Sequence, residues 1–176
     1  PALLGVATIV VFIKEAKNVP NGNHQPFQLK QLPRKYYRFL AVVFVFTLGN
    51  SADALLLVKT AETGIDPSYV PFVYMIFNTV SVFLAIPVGK MSDRIGREKL
   101  IILGFFLYAV VYYFFGRLNS LPFFILLFVF YGFYSALTDS SQKALIADIT
   151  GKELRGTGFG IYHAVLGVTL LPASLI

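Results

Sequence analysis

The chain is 176 residues long, 56% of them hydrophobic and 14% charged, whereas soluble domains carry about a quarter charged residues, so its composition is that of a membrane protein. It has no cysteine, which excludes a disulfide framework, a thiolate metal site and a cysteine nucleophile. Its two histidines, His24 and His163, could supply only part of a metal site, and neither metal nor cofactor is expected.

The chain opens on PALLGVATIVVFI, which has no basic flank before it and no small-residue cleavage site after it, so it does not read as a signal peptide. Residues 1–13 read instead as the end of a transmembrane helix. Both ends of the sequence look cut, as in a piece of a longer protein. Residues 14–38 follow as a linker, with NVPNGNHQPFQLKQLP rich in Asn, Gln and Pro and without apolar period. A helix needs about 20 mostly apolar residues to cross a bilayer. Such spans are expected at about 39–58, 69–88, 100–115 and 121–137 or longer, with a further one at 159–176. Successive apolar spans with short polar joints cannot all be covered by water-facing surface. Residues 39–176 are therefore expected to form an all-α, polytopic transmembrane bundle.

The net charge of +6 sorts by joint. Lys14, Lys17, Lys30, Arg34, Lys35 and Arg38 precede the first full span; Lys90, Arg94, Arg97 and Lys99 follow the second; Lys143, Lys152 and Arg155 follow the fourth. The alternate joints hold Lys59, beside Glu62 and Asp66, and Arg117. By the positive-inside rule the basic joints lie in the cytoplasm, and the charge marks topology rather than nucleic-acid binding. The lipid bilayer is thus the first expected partner, with modest attraction of the basic loops to anionic headgroups.

The joint GKMSDRIGREKL reads physically as a tight turn on the inner face, in which Gly89 and Gly96 allow close approach or positive φ. The order of Gly89, Asp93, Arg94, Gly96, Arg97 and Lys99 resembles the signature loop of the major facilitator superfamily, Gly-x-x-x-Asp-Arg/Lys-x-Gly-Arg/Lys-Arg/Lys. It departs at Glu98, where the family usually has a second base; this acid could pair with Arg94 or a later base. The stretches LGNSADALLLVKTAETG, residues 48–64, and ALIADITGKELRGTGFGIYHAVLG, residues 144–167, resemble the seventh helix and the ten-to-eleven connection of bacterial members.

That resemblance implies the second half of a secondary transporter: the end of helix six, the central loop, helices seven to ten and the start of helix eleven. It implies alternating access between two halves, with the signature loop as the cytoplasmic gate. Asp93 would approach the absent first half, and Arg97 would pair within this half, with Asp148 as partner and Arg155 nearby. The remaining expected partners are that first half or a second copy of the chain, and a small-molecule substrate. The setting is a bacterial inner membrane. A non-transporting receptor or assembly scaffold of the same fold is the alternative.

An ionisable group within a span is a functional candidate by default. Asp53 lies about 22 Å along the helix from Arg38, at 1.5 Å per residue, and either pairs with Lys59, reaches outer water, or serves as a substrate or proton site. Asn50 stands three positions earlier on the same face, and Asn78 lies in an uncharged span. Coupling to protons through Asp53, and antiport of small amphiphilic molecules outward, are expectations on this reading. Asp139 and Lys143 are one turn apart and suit an ion pair at the inner end. Gly156, Gly160 and Ala164 recur every four residues, a stripe that lets helices approach closely. Ser140 and Lys143 have the spacing of a serine nucleophile and lysine base but lack companion motifs, so the chain is not expected to be an enzyme.

Overall fold

The computed structural model describes residues 32–49, 66–117 and 120–173. The opening apolar run, the linker through residue 31 and the part of the first full span that carries Asn50 and Asp53 lie outside these residues. The described elements are helices, joined by short turns and one 3-10 turn, Pro67–Tyr69.

Helix α1, Arg34–Leu48, starts directly after Pro33, whose fixed φ ends the extended entry and whose carbonyl accepts the Tyr36 N–H at 2.9 Å. Asp66 opens the 3-10 turn by accepting the Ser68 N–H at 2.8 Å, a local side-chain turn that presents the chain to α2, Val70–Ile95. Pro71 sits in the first turn of α2, where its missing N–H costs nothing. Helix α3, Arg97–Phe115, follows after the single residue Gly96. The expected loop is thus mostly helix, with α2 running to Ile95 and the reversal confined to Gly96. Its φ of 103° and ψ of 134° lie where a side chain is strained.

The remaining helical run, Leu121–Ala173, is interrupted only at Gly151, with φ 66° and ψ −179°. We treat 121–150 as α4 and 152–173 as α5. The fourth and fifth expected spans are therefore continuous with their connection, with no loop between them. Helix α2, helix α3 and the run 121–169 are each long and apolar enough to cross a membrane, and the protein is an integral membrane protein with an all-α bundle.

Helices α1, α2 and α3 all pack against the α4–α5 run. Toward the α3–α4 turn the core is aromatic: Phe77, Tyr108, Phe115, Phe124, Phe128, Tyr131 and Tyr134 are buried together. Nearer the charged end, Val88, Leu100, Ala136 and Leu137 form a second cluster. A third joins α1 to α4 and α5 through Tyr36, Val43, Ile146 and Tyr162. In lipid, association depends on packing contacts rather than water release, and glycines set the closest approaches. A Cβ on Gly132 would stand 2.8 Å from Val80, and one on Gly104 would stand 2.6 Å from Thr138 Cγ2. Outward surfaces are apolar, as at Phe83, Ile86 and Phe106, which suits contact with lipid chains.

Candidate functional site

Ten of the eleven described lysines and arginines gather at one end of the bundle, where α1 begins, α2 turns into α3 and α4 breaks into α5; Arg117 alone lies at the other. At the crowded end, Arg97 begins α3 just after the turn, which aims its guanidinium toward the ends of both α2 and α4. It donates to Asp93 at 3.3 Å, one turn back across Gly96, and to Asp148 of α4 at 2.9 Å. The Arg97 side chain is 21% exposed while Asp93 and Asp148 are 68% and 57% exposed. A planar fork shared between two carboxylates ties three helices at one point.

Asp93 therefore meets Arg97 within this chain, while remaining largely open to the outside. Glu98 pairs with neither Arg94 nor a later base: its carboxylate lies 2.6 Å from Lys35 at the start of α1. As an acid in the first turn of α3 it also sits favourably on the helix dipole. This second bridge, between exposed groups, adds α1 to the same knot. Its partner could not be read from the local spacing, because Lys35 is distant in sequence and comes near only through packing.

These side chains border a cavity of about 410 Å³ lined by Lys35, Ser92, Arg97, Glu98, Lys99 and Asp148, among others. Ser92 is 2% exposed and its hydroxyl has no hydrogen-bond partner among the described residues. Gly89 is half-buried with open space where a Cβ would be, and Arg94, Lys99 and Arg155 are exposed.

The other candidates disperse. The Asn78 amide is exposed and donates to the Tyr74 carbonyl on its own helix at 2.8 Å. Asp139 accepts from Ser135 at 3.4 Å, and Ser135 in turn accepts from Ser81 of α2 at 3.1 Å; Lys143 is exposed. The Ser140 hydroxyl donates to the Ala136 carbonyl at 2.7 Å, so its hydrogen is held by its own helix. Gly156, Gly160 and Ala164 lie on the exposed side of α5, and a Cβ on either glycine would meet nothing within 4 Å. Gly160 and Ala164 border a shallow apolar recess beside Phe44 of α1. The stripe's neighbour Gly158 makes the close approach instead: a Cβ there would stand 2.5 Å from Thr150 Cγ2, and its carbonyl accepts the Tyr36 hydroxyl at 2.7 Å. Tyr162 donates to Gln142 at 2.6 Å in the same buried region. Tyr36, Gly158 and Tyr162 were not singled out as site residues, although Gly158 and Tyr162 lie in the stretch 144–167 and stand one turn apart.

The sequence model of the Major Facilitator Superfamily matches residues 38–176. The chain is similar to an uncharacterized MFS-type transporter of Methanocaldococcus jannaschii, 32% identical over 185 residues, which covers 99% of this chain and 46% of that protein. An uncharacterized MFS-type transporter of Bacillus subtilis is 25% identical over 67% of this chain and 29% of its own length. A second such protein of the archaeon is 24% identical over 77% of the chain and 36% of its own. The chain spans less than half the length of these curated relatives. No solved structure matches. With its helical membrane bundle and a family match running from the first full span onward, the chain belongs to the major facilitator superfamily of transporters.

Proposed function

We propose that this chain supplies one of two helical halves of a secondary transporter working by alternating access, with the turn at Gly96 as its cytoplasmic gate. The observation that carries the reading is the Arg97 fork, which joins α2, α3 and α4 at the basic end through Asp93 and Asp148. Because Asp93 keeps most of its surface open, it can also meet a group on the other half when the inner side closes. The length of the relatives, more than twice the span matched here, supports a second bundle in the whole protein. The exposed stripe Gly156, Gly160 and Ala164 offers that bundle a surface without bulk.

The basic joints face the cytoplasm of a prokaryotic cell by charge bias. The substrate is a small molecule, moved outward in exchange for protons, with Asp53 as carrier and Asn50 beside it; the aromatic, weakly charged spans support an amphiphilic cargo. The 176 residues hold no cysteine, so a single reporter is placed in them with any cysteine of the remaining sequence replaced by serine. In the full-length transporter, Asn78→Cys should react faster with a thiol reagent supplied from the cytoplasmic side when Arg97→Ala or Asp148→Ala is added. An unchanged rate in both variants overturns the gate. For coupling, Asp53→Asn should abolish pH-driven transport of a panel of amphiphilic compounds in proteoliposomes, and intact transport overturns Asp53 as carrier.

A further inference from the structure

The last turns of α2, at the basic end of the bundle, carry a recess of about 410 Å³ lined by Pro87, Lys90, Met91, Arg94 and Ile95. Its lining comes from α2 alone, and it shares only Ile95 with the cavity at the Arg97 fork. Lys90 and Arg94 are four residues apart, hence one turn apart on the same side of the helix, and both belong to the wall. Both are exposed, and neither makes an ion pair among the described residues. The acid beside Arg94 in sequence, Asp93, is turned to Arg97. Arg94 offers a planar fork and Lys90 a point charge, donors suited to a single phosphate.

The rest of the wall is apolar, and Pro87 interrupts the helical hydrogen-bond ladder beside it. Toward the membrane centre the same side of α2 continues through Phe83, one turn before Pro87 and 77% exposed. From Phe83 to Arg94 the stripe measures about 16 Å at 1.5 Å per residue, about half of a bilayer core and so the depth of one leaflet. Apolar along that depth and cationic at its edge, the stripe repeats the order of a phospholipid, acyl chain and then phosphate.

We propose that this side of α2 binds one anionic phospholipid of the leaflet at the basic end, with its phosphate between Lys90 and Arg94 and an acyl chain along Met91, Pro87 and Phe83. The site does not depend on the transport reading. It also differs from a diffuse attraction of basic joints to the membrane, because two particular bases of the ten at this end make the contact. An anionic headgroup is favoured over a zwitterionic one because the latter brings its own ammonium, which both bases repel.

The 176 residues hold no tryptophan, so the reporter is Phe83→Trp in the full-length protein, read against the parent as background. Reconstitution with brominated phosphatidylglycerol or brominated phosphatidylcholine gives the relative affinity from quenching. Quenching should favour the anionic lipid. Lys90→Gln or Arg94→Gln alone should lower that preference about fivefold, the worth of one basic residue near an anionic surface, and the two together should bring it near one. Phe72→Trp, 60% exposed near the other end of α2, should show no preference. Arg34→Gln combined with Lys152→Gln removes the same charge from the starts of α1 and α5 and should leave the preference at Phe83→Trp in place. Equal quenching by the two lipids at Phe83→Trp, a preference that survives loss of both Lys90 and Arg94, the same preference at Phe72→Trp, or an equal loss when Arg34 and Lys152 are replaced would each overturn the site.

Discussion

Replacing Gly104 by alanine tests the claim that glycines set how closely the helices approach. A Cβ at Gly104 would lie 2.6 Å from Thr138 Cγ2 and 3.3 Å from Leu137 Cβ, where carbon atoms prefer about 3.5–4.0 Å. The Thr138 methyl cannot swing aside freely, because the hydroxyl on the same carbon donates to the Tyr134 carbonyl at 2.9 Å. Overpacking of this kind costs about 1–3 kcal/mol, and alanine returns up to about 1 kcal/mol as the better helix former. Gly104→Ala should therefore destabilise the protein by about 1–2 kcal/mol. Thr138→Ser removes the methyl and keeps the hydroxyl, so the double variant should recover most of that loss, with a coupling of at least about 0.5 kcal/mol in the cycle. Equilibrium unfolding of the four proteins in one detergent reads both quantities. If Gly104→Ala is as stable as the parent, or if the two changes simply add, the close α3–α4 contact does not have the role assigned to it.

A cycle between Arg97→Ala and Asp148→Asn should give a coupling of about 1 kcal/mol, and one between Arg97→Ala and Asp93→Asn less than about 0.5 kcal/mol, because the second pair is longer, more exposed and one turn apart; a reversed order refutes the geometry. Gly151→Ala should cost about 1–3 kcal/mol from backbone strain alone, since nothing crowds its Cβ, while Gly156→Ala in the same helical run should cost nothing in unfolding assays of the isolated half. Tyr36→Phe should lose about 1 kcal/mol with the bond to Gly158. Burial pushes the Tyr36 phenol from near 10 up to about 12, so the neutral form is the one folding favours. Its contribution is complete below pH 10 and declines as pH rises through about 12, and the stability difference between parent and Tyr36→Phe should shrink over that interval.

The apolar runs of α2, α3 and the α4–α5 stretch, and the Gly96 turn, were legible because hydrophobic length and a positive-φ glycine are local signals. Boundaries were less so: α2 continues through most of the charged loop, since charged residues at a bilayer edge are as helical as apolar ones, and hydropathy marks the membrane rather than the helix end. The α4–α5 connection was hidden for the same reason. The stripe Gly156, Gly160 and Ala164 shows the limit of periodicity, which identifies a face but not what the face meets. It lies outward, while the tight contacts fall on Gly104, Gly132 and Gly158, positions that stand out only when Thr138, Val80 and Thr150 are placed opposite them. Likewise Glu98 finds Lys35 across the bundle, a pairing that no spacing within the loop encodes. Asn50 and Asp53, the polar residues that the sequence marks most clearly, lie outside the described residues.

Gly151 joins α4 to α5 with no residues to spare. A joint of that kind has no slack, so the two helices stay one residue apart at the charged end, and any reorientation of α5 against α4 would pivot there. Displacement then grows with distance from the pivot, and a tilt of about 10° would move the far end of α5 by about 5 Å, given 1.5 Å of rise per residue. Asp148, three positions before the pivot, would scarcely move. A pivot at Gly151 would thus leave the Arg97 fork in place while the far end of α5 shifts.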